Sequence, residues 1–167
     1  MLAADHLPIV ETRHWPDEQA THDFATRLRD AIAADADLGN AFIALHGDLG
    51  AGKTTFVRHL LQALGVRGRI KSPTYAVVEP HTAQSGLAIH HFDFYRFNDP
   101  REWEDAGFRD IFAAPGLKLA EWPEKAAGHI PIEDLAIKIE AMSDDTRTVI
   151  LQANSARGAR LIKGAPA

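Results

Sequence analysis

Residues 47–54 are Gly47-Asp48-Leu49-Gly50-Ala51-Gly52-Lys53-Thr54, and they match the phosphate-loop pattern G-x-x-x-x-G-K-[S/T]. The residues before this loop, 41–45, form a nearly continuous apolar run, which is typical of a strand buried on both faces of a parallel sheet. After the loop, apolar residues recur at helical spacing at positions 56, 57, 60, 61 and 64. Strand, glycine turn and helix in this order predict the first half of a βαβ unit.

The chemistry of this loop suits the phosphates of a nucleotide. Its glycines allow the backbone to curl so that successive N–H groups point at phosphate oxygens, and the following helix adds its positive dipole end. Lys53 supplies a charge toward the β- and γ-phosphates, and the Thr54 hydroxyl is available to Mg²⁺. The alternative, a chance glycine-rich turn, is disfavoured because the pattern and its strand-to-helix context agree.

The remaining pattern predicts one α/β domain, similar to P-loop NTPases, with a mostly parallel sheet flanked by helices and an antiparallel C-terminal hairpin. Strands are predicted from residue 9 and over 75–79, 87–94 and 117–120, helices over 16–37 and from 99, and the hairpin over 135–140 and 148–151. The domain is predicted to span residues 1–154. Residues 155–167, rich in Ala, Gly, Arg and Pro, are predicted to form a poorly ordered tail.

Composition excludes several classes of protein. The 167 residues include no cysteine, which excludes disulfides, thiolate zinc sites and cysteine nucleophiles. The 18 Lys plus Arg against 23 Asp plus Glu give a net charge of -5, which argues against a surface that binds nucleic acid as a whole. No apolar run approaches the roughly 20 residues that cross a bilayer. We therefore expect a cytoplasmic protein with no membrane partner.

Two acids follow predicted strands. Asp93 lies near the end of the strand over 87–94, and Glu121 directly follows the strand over 117–120. Ligands of open parallel sheets bind beyond the carboxyl ends of the strands, so both carboxylates are candidates for the phosphate-loop edge. The alternative is that they are solvated loop charges. His90 and His91 are adjacent and so face opposite sides of a strand, and we interpret them as structural.

The phosphate loop alone does not choose among classes of nucleotide enzyme. The guanine-binding string Asn-Lys-x-Asp is absent from the sequence, which argues against a small GTPase. Two alternatives to an ATPase stay open. One is a small-molecule kinase, for which Arg67 and Arg69 are the available lid arginines; the other is a nucleotide-gated binding subunit with negligible hydrolysis of its own.

Four motifs in order give a specific resemblance. They are residues 47–56, 71–75 (Lys-Ser-Pro-Thr-Tyr), 91–96 (His-Phe-Asp-Phe-Tyr-Arg) and 121–123 (Glu-Trp-Pro). In this order they resemble the bacterial TsaE family, the small ATPases of tRNA threonylcarbamoyladenosine biosynthesis. The resemblance runs from about residue 16 to the region of Arg147. It implies a protein that binds ATP and Mg²⁺ and acts with the TsaD and TsaB proteins, reaching tRNA through their complex.

The resemblance also implies roles for individual residues. Lys53 would hold phosphates, Thr54 and Glu121 would ligate Mg²⁺, and Asp93 would ligate the ion or orient water. ATP hydrolysis would reset the complex between turnovers, while TsaD performs the threonylcarbamoyl transfer. The residues implied in nucleotide binding are the loop residues Gly47, Asp48, Leu49, Gly50, Ala51, Gly52, Lys53, Thr54 and Thr55, with Glu18, Ser72, Thr74, Trp122 and Arg147. Ser72 and Thr74 would belong to a mobile loop near the γ-phosphate.

Overall fold

The computed structural model describes residues 7–73, 77–105 and 107–167. The strands are β1 (Ile9–Trp15), β2 (Phe42–His46), β3 (Val78–Thr82), β4 (Ala88–Asp93), β5 (Leu117–Glu121), β6 (Leu135–Ala141) and β7 (Arg147–Ala153). The helices are α1 (Glu18–Ala34), α2 (Lys53–Ala63), α3 (Pro100–Asp105), α4 (Phe108–Ala113) and α5 (Ala156–Gly164), with 3₁₀ helices at Ala36–Asn40 and Pro123–Ala126.

All seven strands belong to one sheet, in the order β1-β7-β6-β2-β5-β4-β3. The four central strands, β6, β2, β5 and β4, run parallel to one another, whereas the pairs β1–β7, β6–β7 and β3–β4 are antiparallel. This topology confirms the predicted α/β class, the parallel centre and the C-terminal hairpin. The strand predicted over 75–79 begins at Val78 where the structure describes it, and residues 74–76 lie outside the described ranges.

The sheet separates two hydrophobic cores. On one face, α1, α2 and α5 cover a mainly aliphatic core in which Phe24, Leu28 and Phe56 are almost fully buried. The other face carries an aromatic core with Phe92, Phe94 and residues of α3 and α4. Helix α1 begins where Asp17 caps it by accepting a hydrogen bond from the Ala20 N–H at 3.0 Å. Among the described residues, none of the helices has both the length and the apolarity needed to span a bilayer.

The prediction of a poorly ordered tail over 155–167 is wrong. Helix α5 begins at a Ser155 cap and buries Leu161 and Ile162 against the aliphatic core. Arg157 and Arg160 form ion pairs with Asp37 at 2.9 and 2.6 Å. The glycines of this segment suggest flexibility, but Gly158 serves close packing, because a Cβ there would lie 1.8 Å from the carbonyl oxygen of Asp134.

Candidate functional site

The phosphate loop joins β2 to α2 and depends on its glycines. Gly47, Gly50 and Gly52 have φ values of 151°, 80° and 117°, which side chains rarely tolerate. A Cβ at Gly47 would also lie 2.6 Å from the carbonyl oxygen of Ile139. Helix α2 has no side-chain cap, and its first hydrogen bond runs from the Phe56 N–H to the Gly52 carbonyl. The amides at the start of α2 are therefore available to an anion.

Lys53 is the first residue of α2, and its side chain is buried against the phosphate loop. Its side chain belongs to a residue only 4% exposed, and Nζ donates to the Gly47 carbonyl while lying 3.6 Å from the centroid of the Trp122 ring. Burial lowers the pKa of Lys53, and the carboxylates of Glu121 and Asp93 offset part of that shift. The loop thus holds a partly desolvated cation close to two anions.

The two predicted acids lie side by side at the carboxyl edge of the parallel strands. Asp93 of β4 pairs in register with Glu121 of β5, and the residues are 4% and 2% exposed. The alternative that they are solvated loop charges is therefore wrong. Thr54 Oγ1 donates to Glu121 Oε1 at 2.7 Å, so the first turn of α2 is tied to β5. Asp93 accepts from the Tyr95 N–H at 2.9 Å and from the Ser72 hydroxyl.

Trp122 has an uncommon backbone conformation next to Glu121. Its φ and ψ are 55° and 47°, in the left-handed region that a bulky residue adopts only under structural constraint. The ring lies 5.0 Å from the Tyr95 ring, centroid to centroid, and carries the Lys53 ammonium on its face. These residues form one wall of a cavity of about 340 Å³ that Thr54, Thr55, Ser72, Asp93, Glu121 and Arg147 also line.

A second cavity lies beside the first and shares Gly52, Thr55 and Arg147 with it. Glu18, Gly52, Thr55 and Arg147 line it together with Trp15. Arg147 Nε donates to the Ala51 carbonyl at 2.8 Å, which connects β7 to the phosphate loop. Glu18 Oε2 lies 2.8 Å from His59 Nε2 of α2. The structure thus brings Glu18 and Arg147, two residues distant in sequence, to the same cavity next to the loop.

The remaining predicted residues differ in exposure. Asp48, Leu49 and Gly50 are exposed, with Leu49 74% exposed, and Leu49 and Gly50 also line the cavity of about 340 Å³. Ala51 is buried beneath the loop. Thr74 lies outside the described residues. In the described ranges, no group of three or more His, Asp or Glu side chains is placed to hold a metal ion.

Sequence reasoning missed one contact of the site. His91 is fully buried, and its Nε2 lies 2.6 Å from Glu121 Oε2. His90 and His91 do face opposite sides of β4, as predicted. Because side chains alternate along a strand, His91 lies on the same face as Asp93, two residues further on. That spacing was the available signal, but the contact itself depends on the pairing of β4 with β5.

The parallel centre of the sheet, the phosphate loop between β2 and α2, and the acids at the ends of β4 and β5 define a protein with a P-loop NTPase-like fold. The family model described as "Threonylcarbamoyl adenosine biosynthesis protein TsaE" matches residues 15–149. The chain belongs to the TsaE family, which confirms the resemblance carried by the four motifs.

Similar proteins support this assignment over most of the chain. The tRNA threonylcarbamoyladenosine biosynthesis protein TsaE of Haemophilus influenzae is 38% identical over 151 residues, 90% of this chain and 94% of that one. The protein of the same name from Bacillus subtilis is 35% identical over 127 residues, 76% of each chain. The crystal structure of Bacillus subtilis YdiB superimposes with a TM-score of 0.71 at 28% identity and covers 93% of both chains.

Proposed function

We propose that this protein is an Mg²⁺-dependent ATPase of tRNA threonylcarbamoyladenosine formation in the cytoplasm. It works with TsaD and TsaB, and its ATP hydrolysis resets their complex between turnovers. The observation that carries the proposal is the convergence of a phosphate loop with two buried carboxylates at the carboxyl edge of the sheet. The family membership supplies the pathway, since the curated relatives carry the name of tRNA threonylcarbamoyladenosine biosynthesis.

The chain offers suitable ligands for Mg²⁺. The Thr54 hydroxyl and the Glu121 carboxylate can both act as oxygen ligands of a metal ion, and Thr54 Oγ1 lies 2.7 Å from Glu121 Oε1. The Asp93 carboxylate lies on the neighbouring strand. Magnesium is usually held by one or two carboxylates together with substrate phosphates, so this donor set fits. When bound, the ion would neutralise charge on the β- and γ-phosphate oxygens.

The chain's own residues then have separable tasks. The amides of the loop and the Lys53 ammonium would bind the phosphates, and Thr54 with Glu121 would hold the ion. Asp93 would ligate the ion or orient the attacking water, through a carboxylate that already accepts hydrogen bonds from Ser72 and the Tyr95 N–H. Glu18 and Arg147 would contact the rest of the nucleotide from the cavity beside Gly52.

Phosphate release from ATP, measured for the protein alone and with TsaD, TsaB and tRNA, tests this function. We expect release to depend on Mg²⁺, to increase in the assembled complex and to be lost in Lys53→Ala. Lys125→Ala, which removes an exposed lysine, is the matched control and should behave as the parent protein. Absence of ATP hydrolysis in the complex would overturn the proposal. Phosphorylation of a small metabolite by the pure protein would favour a kinase instead.

A further inference from the structure

His91 is not among the residues proposed to contact the nucleotide or Mg²⁺. Its ring nevertheless lies beside Glu121, the acid proposed to bind Mg²⁺. The imidazole is 0% exposed, and Nε2 lies 2.6 Å from Glu121 Oε2. Because an ionised carboxylate only accepts hydrogen bonds, Nε2 is the donor. The other oxygen of the same carboxylate, Oε1, accepts from the Thr54 hydroxyl. Glu121 is therefore held at both oxygens, from α2 on one side and from β4 on the other.

The sheet register places His91 below the site rather than in it. His91 pairs with Leu119, whereas Asp93 pairs with Glu121. His91 therefore lies two residues further than the two acids from the carboxyl edge of the sheet. It does not line the cavity that Lys53, Thr54, Asp93 and Glu121 share. A fully buried ring in this position cannot touch a nucleotide, and any effect it has must act through Glu121.

The two ring nitrogens of His91 are in unequal surroundings. Nε2 contacts the carboxylate, whereas Nδ1 is buried with no hydrogen-bond partner among the described residues. Burying a polar ring that satisfies only one of its nitrogens costs stability that an apolar residue of similar size would avoid. Within the described parts of the chain, the ring's hydrogen bond is to Glu121, so that contact is the observation that accounts for an imidazole here.

We propose that His91 is a positioning residue for magnesium binding. By donating to Oε2, it fixes the Glu121 carboxylate so that Oε1 faces Thr54 and the phosphate loop. Without this donor, the buried Oε2 would lack a partner, and the carboxylate would rotate toward another donor. This inference rests on the proposed function, because it gives His91 a task only if Glu121 binds Mg²⁺. Residues that orient metal ligands in this way commonly affect metal affinity by about 10- to 100-fold when they are replaced.

The test compares three variants by calorimetric titration of ATP with and without Mg²⁺. In His91→Leu the donor is lost, and we expect the Mg²⁺-dependent gain in ATP affinity to fall by about tenfold or more. His91→Gln keeps an N–H donor near the position of Nε2 and should retain most of that gain. His90→Leu is the matched control, since it makes the same change on the opposite face of β4. Affinity for ATP without Mg²⁺ should be similar in all of them.

A purely structural role predicts a different result. His91→Leu would then change the free energy of unfolding, measured by urea denaturation, while the Mg²⁺-dependent gain stayed at the parent value, and that result overturns the proposal. Equal losses in His91→Leu and His91→Gln would also overturn it, because the donor would not be what matters. If the parent protein itself gains no affinity from Mg²⁺, the proposed function fails, and the role of His91 fails with it.

A spectroscopic measurement on the nucleotide-free protein tests the contact itself. The proton NMR spectrum of the parent protein should contain a protected imidazole N–H resonance that is missing in His91→Gln, which assigns it. In Glu121→Ala the same resonance should shift or exchange away, because its acceptor is gone. A parent spectrum without this resonance, or a resonance unchanged in Glu121→Ala, would show that His91 does not donate to Glu121, even where a His91 variant fails to fold.

Discussion

At the residue scale, Lys53 is the clearest determinant of phosphate affinity. It is 4% exposed and faces the loop, so its contact with a phosphate would be made with little competing water. A charge-assisted hydrogen bond of this kind contributes about 1.5–3 kcal/mol. We expect Lys53→Ala to lose at least that much ATP binding free energy in calorimetry, with Lys125→Ala unaffected. Unchanged ATP affinity in Lys53→Ala would rule out the phosphate-loop interpretation.

Asp93 and Glu121 should separate hydrolysis from binding. The loop amides and Lys53 still hold the phosphates when either carboxylate is removed, but the ion or the attacking water is no longer fixed. We expect Asp93→Ala and Glu121→Ala to reduce phosphate release in the assembled complex far more than they reduce nucleotide affinity measured without Mg²⁺. Glu140→Ala, which removes an exposed carboxylate of β6, serves as the control. If both site variants release phosphate at the parent rate, Asp93 and Glu121 have only a structural role.

At the scale of elements, α5 depends on a glycine inside a helix. Alanine is favoured over glycine there by about 1 kcal/mol on propensity alone. However, the added Cβ of Gly158→Ala would collide with the Asp134 carbonyl at 1.8 Å, and α5 would have to move off β6. We therefore expect Gly158→Ala to lower the free energy of unfolding by about 1–3 kcal/mol in urea denaturation. The exposed Ala156→Gly should cost no more than the propensity difference, and a stabilised Gly158→Ala would contradict the packing argument.

The ion pairs between α5 and Asp37 should make the free energy of unfolding depend on pH. Arg157 and Arg160 lower the pKa of Asp37 from 3.8 to about 2, chiefly through side-chain hydrogen bonds. A carboxyl with a lower pKa in the folded state adds stability above its unfolded pKa, and this stability is lost as the pH falls. The loss should lie between pH 3.8 and about 2. Asp37→Asn should lower the free energy of unfolding near neutral pH by up to about 1 kcal/mol. It should also flatten the pH dependence of urea denaturation in that window, and an unchanged slope would contradict the assignment.

The elements around the phosphate loop could be predicted from sequence because their signals are local. Strand β2, the loop and α2 follow one another within about two dozen residues, and each has its own pattern. Asp93 and Glu121 could be placed at the same edge because parallel strands share one. Helix α5 could not be predicted in this way. The need for glycine at position 158 comes from close packing against the Asp134 carbonyl, a contact between residues distant in sequence. The His91–Glu121 contact likewise depends on the register between β4 and β5, two strands that are far apart in sequence.

At the scale of the whole molecule, the proposed reset predicts that assembly and turnover can be separated. Glu121→Ala keeps the loop and Lys53, so we expect it to bind ATP and join TsaD and TsaB. With preformed threonylcarbamoyl-adenylate and tRNA, it should support about one round of modification and then stall, while the parent protein continues. Lys53→Ala should fail earlier, at nucleotide binding. Sustained turnover by Glu121→Ala, or full-speed turnover without this protein, would refute the reset.

The pairing of the outermost strand also bears on how the chain folds as it is synthesised. Residues 9–15 of β1 are hydrogen-bonded to residues 147–153 of β7, near the other end of the sequence. During translation, β1 leaves the ribosome before the other six described strands, but its partner β7 is the last of them to emerge. The central strands and the helices that cover them can collapse before then. Strand β7 therefore joins β1 to the rest of the sheet only after β2 to β6 have been made, and a product lacking β7 would leave β1 unpaired and prone to aggregation.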